Sequence, residues 1–94
     1  MAGEVQQLRE FIEQCLRSQP RASLVEAVSY FDHQNHLLPS AWRLNQAVTE
    51  LSVPVALSSD GLHLEISPQT DAVQLSDSDM SRIIEAYMTA LRAR

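Results

Sequence analysis

At 94 residues, with 45% hydrophobic and 20% charged side chains, the chain suits one globular domain. A net charge of −5 and a pI near 5.0 oppose non-specific attraction to nucleic acid or anionic lipid. No apolar run reaches the roughly 20 residues of a membrane helix. The N-terminus does not read as a secretory signal, and Cys15 has no second cysteine to pair with, so a cytoplasmic home is the expectation.

The first predicted helix spans about Glu4 to Ser18. Val5, Leu8, Phe11, Ile12, Cys15 and Leu16 fall on one wide apolar face, which makes Cys15 a buried structural thiol. Pro20 ends this helix. A second begins at Ser23, where Ser23 and Glu26 match a capping box, and Leu24, Ala27, Val28 and Phe31 supply its stripe. It should fade by His33 or Gln34 in the polar run DHQNH, leaving a connector without glycine. Pro39 and the N-cap Ser40 then start a third helix, with Ala41, Leu44, Val48 and Leu51 at helical spacing. Arg43, Asn45, Gln46, Thr49 and Glu50 fill its other sides.

Past Pro54 the period changes to two. Val55 and Leu57 form one run, and Leu62, Leu64 and Ile66 form another, with His63 turned outward between them. Asp60-Gly61 between the runs is a strong hairpin signal. A polar loop over residues 67–76 follows, with Val73 and Leu75 as anchors. Ser76 and Asp79 announce a last helix over 77–94, whose stripe is Met80, Ile83, Ile84, Tyr87, Met88 and Leu91 and whose end carries Arg92 and Arg94.

This is a small α+β domain. Over residues 4–66 the order α-α-α-β-β resembles a winged helix-turn-helix domain, with the C-terminal amphipathic helix added to it. The resemblance implies a third helix in the major groove, with Arg43, Asn45, Gln46 and Thr49 able to read base edges, and a hairpin against the backbone. The charge opposes that use. No Lys or Arg lies between Leu44 and Ser81, while Glu50, Asp60, Glu65, Asp71, Asp77 and Asp79 are acidic. Phosphate neutralisation supplies most non-specific affinity, and Asp60 sits at the wing tip where a cation would be wanted. The reading is therefore a non-enzymatic protein-interaction or adaptor domain, with a DNA-binding transcriptional regulator of winged helix-turn-helix type as the alternative.

No catalytic constellation stands out. Gly3 and Gly61 cannot build a phosphate loop, and GxSxG, HExxH and CxxC are missing. Asp32, His33 and His36 lack a fourth ligand and read as a solvated helix end, so neither metal nor cofactor is expected. Trp42 lies one place off the buried stripe of the third helix. It is either a lid on the core or, with Arg43 and Gln46, an aromatic anchor for a protein partner. The last helix either packs back across the first or pairs with a second copy about a two-fold axis. In the second case Met80, Ile84, Tyr87, Met88 and Leu91 form the dimer interface.

Overall fold

Helix caps dominate the local architecture of this chain. The structure, a computed structural model, describes residues 3–68 and 73–93. Asp71, within the predicted loop, and Arg94 lie outside the described residues. Helix α1 covers Gly3–Ser18, strand β1 Arg21–Ser23, α2 Leu24–Asn35, α3 Ala41–Thr49, β2 Val55–Leu57, β3 His63–Ile66 and α4 Asp77–Arg92. The side chains of Ser23, Ser40 and Ser76 accept the N–H groups of Glu26, Arg43 and Asp79, each three residues on. At Ser76 the box is reciprocal, since Asp79 also accepts the Ser76 N–H at 2.9 Å. That bond, with the Ser76 hydroxyl, holds the Asp79 carboxyl below its ordinary range.

Helix α2 stops without glycine. His36 takes the left-handed conformation at φ 57°, and its N–H donates to the Asp32 carbonyl at 2.7 Å. His is one of the few side chains tolerated there.

The described residues form a three-stranded antiparallel sheet in the order β1-β3-β2. Sequence reasoning missed β1, so the predicted order α-α-α-β-β-α becomes α-β-α-α-β-β-α. Only three residues, Arg21 to the cap Ser23, lie between Pro20 and the first turn of α2, too few to show a period. Their strand character comes from pairing far along the chain, Arg21 opposite Glu65, Ala22 opposite Leu64 and Ser23 opposite His63. The bonds Leu24 N–H to Leu62 O, 2.8 Å, and Ile66 N–H to Pro20 O, 3.0 Å, continue that ladder at both ends. On its other side β3 pairs with β2 in the expected hairpin, Leu57 opposite Leu64. The predicted apolar face of Leu62, Leu64 and Ile66 is covered only at its centre. Leu64 is fully buried, Leu62 half-buried and Ile66 exposed.

The core gathers Leu8, Ile12, Leu24, Val28, Phe31, Leu44, Leu64 and Ile83, all fully buried. Each such side chain contributes roughly 1.5–3 kcal/mol through removal from water. Helix α3 lies on α1, and α4 lies on α2. Of the two alternatives for the last helix, packing back across the first is thus corrected, since its chief contacts within the chain are with α2. The broad face of α1 is already taken by α2, α3 and β1, which leaves α2 as the exposed platform.

Candidate partner-binding groove

The packing of α3 on α1 sets the rotation of α3, and that rotation decides what faces outward. Leu44, Ala47 and Val48 turn into the core. Trp42, Gln46 and Glu50, spaced by four, form an outer row. Trp42 is 68% exposed, so of the two alternatives for this residue a lid on the core is corrected. A position one place off a buried stripe goes to either side of its edge, and the packing of α3 sends this one out.

A groove of about 470 Å³ runs between α1 and α3, lined by Val5 and Arg9 from α1 and by Trp42, Arg43, Gln46 and Glu50 from α3. All three residues predicted to bind a partner, Trp42, Arg43 and Gln46, meet here. Arg43 spans the two helices, its Nε donating to Glu4 Oε2 at 2.6 Å. Both groups are more than a third exposed, so the pair fixes geometry more than it adds stability. Gln46 Nε2 donates to Glu50 Oε2 at 2.8 Å. Arg9 belongs to the groove and was not singled out in the sequence. Its Nε is buried without an acceptor among the described residues, while its spacing from Val5 and Leu8 gave only a flank of the apolar face.

The side chains able to read bases are all engaged within the chain. Arg43 is paired with Glu4 and Gln46 with Glu50. Thr49 donates to the Asn45 carbonyl at 2.9 Å. Asn45 holds Leu75 at both polar groups, donating to its carbonyl at 2.9 Å and accepting its N–H at 2.7 Å. That two-way bond seats the approach to α4 on α3, and nothing local in the sequence announces it.

The hairpin tip is equally self-contained. Asp60 accepts from the Ser58 hydroxyl and from the Leu62 N–H, and its other oxygen lies 3.2 Å from His63 Nδ1. The Ser58 and Leu62 hydrogen bonds, with help from His63, bring its carboxyl down to about 2. Gly61 supplies the φ of +74° that closes the turn. His63, predicted to face away from the core, lines a second crevice of about 420 Å³ with Cys15, Arg21 and Glu26. Burial and the Glu26 charge push the Cys15 thiol up, away from the thiolate a nucleophile needs.

The predicted dimer interface divides. Met80 and Tyr87 are buried in the chain's own core, and the Tyr87 hydroxyl donates to Asp32 Oδ2 at 2.6 Å. Assigning those two to a seam between copies is corrected, because α2 supplies the covering surface. Ile84 is half-buried, while Met88 and Leu91 remain exposed. Asp32 and His36, weighed as metal ligands, take structural tasks: one receives Tyr87 and the other ends α2. Comparison with protein-family models, with curated proteins and with solved structures finds no match to this chain.

Proposed function

We propose that this chain is a winged-helix-type domain used as a non-enzymatic, cytosolic protein-interaction or adaptor module, with its partner held in the α1–α3 groove. The observation that carries this reading is Trp42, 68% exposed beside Arg43 and Gln46 on one groove wall. An aromatic ring so far out of its own core costs solvation that a partner would recover, and Trp and Arg are favoured anchors at interfaces. The order helix, strand, helix, helix and hairpin, with the first strand added to the hairpin, supports the winged-helix part. No helix among the described residues is long and apolar enough to cross a membrane.

Affinity capture from the source cell, with the wild type compared with Trp42→Ala, tests the reading. A specific protein retained by the wild type and by Glu65→Gln on the hairpin, but lost with Trp42→Ala, is the expected result. A partner indifferent to Trp42 would overturn it.

The alternative, a DNA-binding regulator, draws on the same element order. It is opposed by the internal engagement of Arg43, Asn45, Gln46 and Thr49 and by the Asp60-centred wing. Micromolar binding to random duplex that weakens steeply with salt would reinstate it. A homodimer over α4 is favoured by one feature, the adjacent exposure of Met88 and Leu91 on the face that Ile84 begins. Sedimentation at micromolar concentration tests it: a dimer mass that Met88→Glu converts to a folded monomer is the expected result, and a monomer mass in the wild type removes the idea.

A further inference from the structure

The α1–α3 groove contains four charged side chains, Glu4, Arg9, Arg43 and Glu50. Three of them are answered inside the chain. Glu4 and Arg43 pair with each other, and Glu50 accepts the Gln46 amide. Arg9 is the remaining one. Among the described residues it makes no ion pair, and its Nε is buried with no acceptor. A guanidinium N–H taken from water without an acceptor loses its hydration and regains nothing, an uncommon state in folded proteins. Arg9 shares its groove with Val5 and with the exposed Trp42 ring.

We propose that the groove takes a peptide segment that sets one Asp or Glu carboxylate against Arg9 and one bulky apolar side chain against Trp42 and Val5. The proposal rests on the reading of this groove as a partner site and adds the partner's chemistry. Arg9 Nε has no solvent-accessible surface, so the carboxylate is set against the two Nη groups, the edge of the guanidinium that offers two parallel bonds. The apolar neighbour follows from the ring, whose area returns its solvation cost only against another apolar surface. A single carboxylate is the right dose of charge. Glu4 and Glu50 flank the site and the chain carries −5, so a polyacidic segment, a nucleic acid or a second copy of this acidic chain is repelled.

A random linear peptide library displayed and panned on the full chain provides the probe. The expected result is enrichment of peptides bearing an acid within one helical turn of a bulky apolar residue. For a synthetic representative, changing its Asp or Glu to the amide weakens binding about tenfold or more, the scale of a charge-assisted hydrogen bond. Arg9→Gln, which keeps the aliphatic stem, produces a similar loss, and the two losses combined do not add. Peptides that depend on Trp42 but carry no acid, or whose acid is indifferent to Arg9→Gln, overturn the carboxylate pairing and leave the groove reading intact. Failure to enrich any peptide, or binding unchanged by Trp42→Ala, overturns both. Should Arg9→Gln fail to fold, the peptide's acid-to-amide change on the wild type decides by itself: a loss below about twofold overturns the pairing, because a surface ion pair of negligible worth gives no more.

Discussion

Two helix pairs flank the core, and they are finished to different degrees. On one side α4 closes over α2. Met80, Ile83 and Tyr87 are buried, and the Tyr87 hydroxyl, carried inward with the ring, finds Asp32 at 2.6 Å. On the other side α3 lies on α1 but stops short of sealing it. Trp42 stands 68% exposed, and Arg9 Nε has no acceptor among the described residues. Both pairs are built from amphipathic helices, and each includes a helix capped by serine, so propensity does not separate them. The difference is what each leaves over. A pair that satisfies its polar groups and hides its aromatic ring has its work done within the chain. A pair with an unanswered guanidinium beside an exposed indole has surface left for another molecule.

The sharpest way to break this contrast is to truncate the closed side. Ile83→Ala removes a fully buried side chain, and the expected cost is about 2–5 kcal/mol in urea denaturation. An unmoved midpoint would mean that α4 is not part of the core. Next comes Tyr87→Phe, which leaves Asp32 without this donor, and the same titration should show a loss of about 1–3 kcal/mol.

The hairpin tip offers a charge that is fully answered, in contrast to Arg9. The Asp60 carboxyl is held down to about 2 by Ser58, Leu62 and His63, against an ordinary value of about 3.9 for Asp. A depressed carboxylate contributes stability that is present above the unfolded value and lost as pH falls through the folded one. Thermal unfolding followed from pH 5 downward should therefore fall with a component, between about pH 4 and pH 2, that Asp60→Asn removes. An identical pH slope in the variant would discard the assignment.

The smallest effect belongs to the open side. Trp42→Ala should change stability by no more than about 0.5 kcal/mol, as for other exposed positions, while abolishing partner capture. A loss comparable to that of Ile83→Ala would place the ring in the core after all and erase the contrast.

Much of this was legible in the sequence. Helix starts were readable at Ser23, Ser40 and Ser76, because a cap is a bond between residues three apart. The hairpin was readable in Asp60-Gly61, whose carboxylate and positive φ act within a few residues. The buried stripe of α3 followed from helical spacing, while the outward placement of Trp42, left open by that spacing, came from packing. Arg9 was not legible, since an unanswered donor is defined by what fails to approach it.

The sequence by itself determined the local conformations: four helices, one hairpin and the faces they bring to be buried. It did so because caps, turns and periodicity act over a few residues of chain. Only the tertiary structure decided that Arg21–Ser23 is a strand, since its partners lie on β3. Only there did α4 choose α2, burying Met80 and Tyr87 and leaving Met88 and Leu91 outside. An amphipathic stripe states how much surface must be covered, and the covering surface arrives from distant chain when the elements pack.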